Sequence, residues 1–106
     1  MVDVDKFSTG KLSVVYWDIG VDSPISPDTP LPPMPVIPPG ALVVVGGRSP
    51  IWRYGRALHA VHGRAAAVAV YDPRLGGGVI VASHHPGFTE GMVVPTPDSP
   101  WAEKQG

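Results

Sequence analysis

Apolar and polar residues alternate through VDVDKF and again through LSVVYWDI, on either side of a Thr-Gly pair. That period of two around a turn signal predicts a β-hairpin. ALVVVGG, residues 41 to 47, is almost wholly apolar and ends in a glycine pair, as a short buried strand would. From Pro50 the period changes. Ile51, Tyr54, Ala57, Leu58 and Val61 share one stripe of a helix running to His62, with Ser49 as N-cap, Pro50 at the first helical position and Gly63 as stop. Arg53, Arg56 and Ala60 lie opposite, where arginines solvate an outer face, while Trp52, Gly55, His59 and His62 form a border stripe. AAAVAVY, 65 to 71, is apolar at every position, the pattern of a strand covered on both faces. DPRLGGG then turns the chain and VIVAS, 79 to 83, returns as its antiparallel partner. Strand, helix, strand and hairpin strand in that order imply a right-handed crossover with a parallel pair in the middle. The expected architecture is a small α+β sheet with one main helix on one face.

Two stretches carry no such period. Residues 23 to 40, SPISPDTPLPPMPVIPPG, hold eight of the fourteen prolines. Fixed φ and missing N–H groups exclude a helix interior or a central strand, so an extended or polyproline-like spacer packed along the domain surface is expected. The tail after Val94, with Pro95, Pro97 and Pro100, is expected to be irregular, with Trp101 packing back or serving a subunit interface.

At 106 residues without internal duplication the chain reads as one domain, 1–106, with one modest core. The absence of cysteine removes disulfides and thiolate metal sites, which suits a reducing cytoplasm. MVDVDKFSTGK lacks the basic start of a signal peptide, and no apolar run approaches the ~20 residues of a membrane span, so a cytoplasmic protein without membrane partners is expected. The net charge of −1 conceals a basic middle: Arg48, Arg53, Arg56, Arg64 and Arg74 face a single acid, Asp72, whereas residues 1 to 47 hold five Asp and two Lys. All four histidines, His59, His62, His84 and His85, lie in or just after that middle. One face of the fold is therefore suited to an anion such as phosphate.

Two places can carry chemistry. In GGRSP, Gly46 and Gly47 let a ligand approach the backbone, the helix start presents free N–H groups, and Arg48 can fork onto phosphate oxygens. A capped helix start with no ligand explains the same residues equally well. The other place is His62 with Asp72, Arg74 and the neighbouring SHHPGF. Histidine acts as acid or base near neutral pH or joins a carboxylate on a metal, and arginine offsets phosphate charge. Helix and following strand run in opposite directions, so His62 and Asp72 are expected at opposite ends of the sheet, to be united by a second subunit. DPRLG taken alone is equally a turn capped by its Asp.

Together, VVVGGRSPIWRYGRALHAVHG, AVYDPRLGG and VIVASHHPGF resemble the CRISPR-associated Csx-three family, also called ring nuclease three, over residues 41 to 94. The resemblance implies a ferredoxin-like α+β fold distantly related to cyclic-oligoadenylate sensor domains. It implies a homodimer, with two dimers sandwiching the ligand as a tetramer or filament. The implied activity is Mn²⁺-dependent cleavage of cyclic tetra-adenylate, the second messenger of type III CRISPR defence, which switches signalling off. On the family's pattern, Gly47, Arg48, Ser49, Pro50 and Trp52 match the binding turn, and Ser83 and His84 match its SH element. His62, Asp72 and Arg74 match the catalytic positions, with His62 and Asp72 on the metal. The proline-rich stretch stands where the family usually has an acidic helical segment, and Ser49 where it has glycine. A deadenylating exonuclease acting on poly(A) RNA and a non-catalytic cyclic-oligoadenylate binder are the competing readings.

Overall fold

The computed structural model describes residues 13–102. The first arm and turn of the expected hairpin fall outside the described residues; its second arm is strand β1, Val14–Asp18. Then follow β2 (Leu42–Gly46), helix α1 (Ile51–Val61), β3 (Ala67–Asp72), β4 (Gly77–Ser83) and β5 (Val93–Pro95). They make one mixed sheet in the order β1-β2-β3-β4-β5. β1 and β3 both run parallel to β2, Val14 facing Leu42 and Leu42 facing Ala67, and β4 and β5 continue antiparallel. The α+β class, with one helix among the described residues, agrees with a small ferredoxin-like domain, and the helical crossover does join the central parallel pair.

Strand β2, and β3 as far as Val70, are apolar because both faces of the sheet are covered there. Val43, Val45 and Val68 point to the helix side with Trp17, Ile19, Ala57 and Val61. Leu42, Val44, Ala67 and Ala69 point the other way, to Ile80, Phe88 and Val94. Each fully buried valine or leucine contributes about 1.5–3 kcal/mol over its exposed state, so both faces hold the strand register. Between Val68 and Ala69 the β3–β4 register shifts, stepping from Ala82 to Ile80 and leaving Val81 as an extra residue.

The proline-rich stretch is the other crossover, joining parallel β1 to β2 without a helix. Leu31, Met34 and Ile37 pack into the helix-side core while Pro33, Val36 and Pro39 face outward. That repeat of three is the periodicity of a polyproline helix laid on the domain. Such a segment offers carbonyls but few donors, and α1 supplies what is missing. Arg53 donates from Nε to Ile19 O at 3.1 Å and from a terminal nitrogen to Thr29 O at 3.4 Å and Pro30 O at 3.2 Å. Arg56 reaches Pro27 O at 3.1 Å and Thr29 O at 2.8 Å.

This revises the helix faces. Arg53 is buried at 4% exposure, and Ile51, placed on the core stripe by periodicity, is 88% exposed. The strap lies over the flank where arginines were expected to meet water, and Ile51 sits in the first turn, beyond its reach. The helix also starts later. Pro50 occupies the N-cap position with no side-chain cap, and Ser49 Oγ is buried without a partner among the described residues. His62 is the C-cap, and Gly63, at φ +87°, ends the helix. Strand β5 closes at Pro95, and residues 96–102 follow it as turns and bends. Trp101 does pack back: its ring lies 5.3 Å from Tyr71 and 5.8 Å from Tyr16, centroid to centroid. Among the described residues no helix is long and apolar enough to cross a membrane.

Candidate functional site

Three parallel strands end together at Asp18, Gly46 and Asp72, and open sheets place ligands outside such carboxyl ends. Here the loop from Gly47 to Pro50 turns into α1. Gly47 takes φ +109°, and a Cβ there would lie 2.4 Å from Asp18 Oδ1 and 2.5 Å from Gly20 N. The glycine pair thus serves the protein's own packing. Gly47 lets the end of β1 approach, and Gly46 leaves room for the Trp101 ring, three of whose atoms would stand 2.7 Å from an added Cβ. Tyr54, on α1, donates its hydroxyl to Gly47 O and fastens the helix to the loop. Burial, and secondarily the nearby Asp18 carboxylate, hold the Tyr54 phenol above its ordinary pKa, so it stays a donor.

Arg48 is exposed, and among the described residues it makes no salt bridge. It stands between two cavities. One, of about 480 Å³, is lined by Gly47, Arg48, Ser49, Tyr54, Tyr71, Pro73 and Trp101. The other, of about 380 Å³, runs along Val21, Asp22, Ser23 and Pro24 to Arg48, Ser49 and Pro50. Trp52, half-buried in the first turn of α1, lines neither.

Asp72 lies between Tyr71 and Pro73, which line the larger cavity, without lining it itself. Its Oδ1 accepts from Arg74 N at 2.8 Å, the Arg74 side chain approaches it at 3.7 Å, and its carbonyl accepts from Leu75 and Gly76. The DPRLG residues therefore do form the capped turn that joins β3 to β4, with the Arg74 guanidinium 90% exposed. A cation held that loosely is available to an anion arriving at this end.

His62 and His84 occupy the other end. Their rings stand 6.0 Å apart, and His84 N is bonded to Ala66 O, just before β3 begins. His59 and His62 line a third cavity, of about 320 Å³, with Leu58, Val68, Val81 and Ala82. The Ser83 hydroxyl is committed to the turn, donating to His85 O and accepting from His85 N, both at 3.0 Å. His85, to which the sequence assigns no role, accepts from Gly87 N at 2.8 Å and packs its ring on Phe88.

The sequence-selected residues thus separate into two groups. Gly47, Arg48, Ser49, Asp72 and Arg74 gather at the carboxyl ends of the parallel strands, and His62, Ser83 and His84 at the amino end of β3. The length of β3, roughly 17 Å for five steps of about 3.3 Å, lies between them. His62 and Asp72 of one chain therefore cannot share a metal ion. Among the described residues no group of three His, Cys, Asp or Glu is placed to hold one. The described residues of a single chain do not fit Mn²⁺. Tyr54, Tyr71 and Trp101 were not singled out as site residues from the sequence. Their aromatic character was visible, but the tail's return to β2 was not.

A family model described as CRISPR-associated protein (Cas_csx3) matches residues 18–95. An uncharacterized protein of Aquifex aeolicus (strain VF5) is 46% identical over 52 residues, which make up 49% of this chain and 46% of that protein. The chain thus spans about half the length of that relative.

Proposed function

The chain belongs to the CRISPR-associated Csx3 family, and from that premise we propose that it binds cyclic tetra-adenylate and cleaves it as a ring nuclease, lowering a defence messenger. The observation that carries the reading is the gathering of Arg48, the helix start, Asp72 and Arg74 at one end of the sheet, with His62 and His84 at the other. The first group suits a phosphodiester: backbone N–H groups and two exposed guanidiniums meet the negative oxygens, and Arg74 offsets charge as the phosphorus is attacked. When a P–O bond breaks, the departing oxygen needs a proton, and an imidazole titrating near neutrality is suited to carry it. One chain lacks that imidazole at its phosphate end. A second copy, presenting its histidine end to the bound ring, supplies it. Mn²⁺ dependence belongs to the same proposal and only to the assembled form, where His62 of one copy meets Asp72 of another.

The test is complementation. Purified His62→Ala and Asp72→Ala variants are each incubated with labelled cyclic tetra-adenylate, with and without Mn²⁺, then mixed. Each alone is expected to lose at least ~100-fold in rate, the scale of a lost acid–base group, and the mixture to recover a measurable fraction. Full activity in either variant, or no cleavage by the parent chain with Mn²⁺ over hours, sinks the reading. The separation of His62 from Asp72 also favours a second reading for a lone chain, a binder that holds the ring intact. It predicts retention of uncleaved ligand even with protein in excess.

A further inference from the structure

The larger cavity contains more than phosphate binding requires. Its far wall is Tyr71 and Trp101, rings 5.3 Å apart and tilted by 34°. Tyr71 donates its hydroxyl to Trp101 O at 3.0 Å, which fixes the tail against β3. Gly46 leaves the gap into which the indole fits. Tyr54 and Pro73 add further flat surface, and Arg48 stands at the edge. Two of the lining residues carry buried polar atoms without a hydrogen-bond partner among the described residues, Ser49 Oγ and Trp101 Nε1. Trp17 Nε1, Thr96 Oγ1 and Ser99 Oγ share that state outside the cavity's lining, so it is the shape and lining of the cavity that point to an occupant. At about 480 Å³ the cavity has the size of a small-molecule site, with aromatic walls and one cation.

We propose that this cavity is a nucleobase slot, in which Trp101 and Tyr71 form the stacking wall for a purine whose phosphate rests on Arg48. The occupant follows from the chemistry of the walls: a flat π-system for the rings, an anion for the guanidinium, and both within one nucleotide's reach. Purines present the larger face to such a wall, and removing the ring beneath a base weakens binding by roughly 5- to 150-fold. The inference rests on reading the loop end as a nucleotide-binding end. It goes beyond the family match, because Trp101 lies outside residues 18–95.

The experiment uses the full chain with two probes, adenosine 5′-monophosphate and ribose 5-phosphate, which differ only in the base. The monophosphate nucleotide is expected to bind at least about tenfold tighter. Trp101→Leu is expected to abolish that preference while leaving ribose 5-phosphate affinity within about twofold, and Arg48→Gln to weaken both. Should Trp101→Leu fail to fold, the unsubstituted chain decides. The indole N–H resonance that disappears in Trp101→Phe must shift on adding the nucleotide and stay still with ribose 5-phosphate. Equal affinity for the two probes, a preference surviving in folded Trp101→Leu, or an unmoved indole overturns the slot. Cleavage of cyclic tetra-adenylate without a base preference leaves the nuclease reading standing and the slot refuted. A base preference without cleavage does the reverse.

Discussion

Arg53 carries a full charge into a position that is 4% exposed, with no carboxylate within ion-pair distance among the described residues. Three carbonyl oxygens replace the counter-ion, each at 3.1 to 3.4 Å. Hydrogen bonds to a charged group contribute more than neutral ones, and removing the donor strands buried acceptors. Arg53→Ala should therefore cost about 3 kcal/mol, read as a lower urea midpoint, with Arg53→Lys recovering part. Tyr54 sets a different limit. Its folded pKa is raised above the ordinary 10.0. In folded and unfolded chains alike the phenol is neutral below that value, so its contribution is whole there. Above pH 10 the unfolded chain ionises first, and stability falls as the pH climbs through the folded value. Denaturation followed from pH 8 to 12 should show that decline, shallower in Tyr54→Phe. Tyr16, raised by burial and then by Asp98, keeps part of the slope in that variant.

At the scale of elements, the strap and the tail cover opposite faces of the sheet and are held by opposite devices. The strap is tied by donors that the helix lends it. The tail is seated in a gap that β2 leaves for it at Gly46. A methyl group there would stand 2.7 Å from three indole atoms. Gly46→Ala should cost about 1–3 kcal/mol or lift Trp101 into water, seen as a red shift of tryptophan emission. These devices mark where sequence reasoning succeeds and stops. Strands β2 and β3 were legible because an unbroken apolar run has few homes except between two covered layers. Helix α1 was legible in its extent, since Pro50 and Gly63 bracket it. Its faces were not, because the period of 3.6 ranks Arg as outward and cannot know that a donor-poor strap will lie on that flank. Leu31, Met34 and Ile37 already stood three apart in the sequence, a spacing that makes sense of the strap once its polyproline geometry is known. Nothing local announced that the tail would return to Gly46.

For the whole molecule, the antiparallel course of α1 and β3 was enough to place His62 and Asp72 apart, since a helix end and the following strand's end lie at opposite poles. What the sequence left open was the company each keeps: Arg48 joins Asp72, and His84 joins His62. The spacer between the groups is a strand hydrogen-bonded on both sides, to β2 and to β4. Such a spacer neither bends nor closes, so no loop motion inside one molecule brings the two groups together. Turnover that requires two copies to meet rises more steeply than in proportion to how many copies are present. Under the proposed function, a cell that makes the protein sparingly would let the messenger persist, and past a threshold of expression would clear it abruptly. On that proposal, a six-residue strand would turn gene dosage into a setting for how long an alarm lasts.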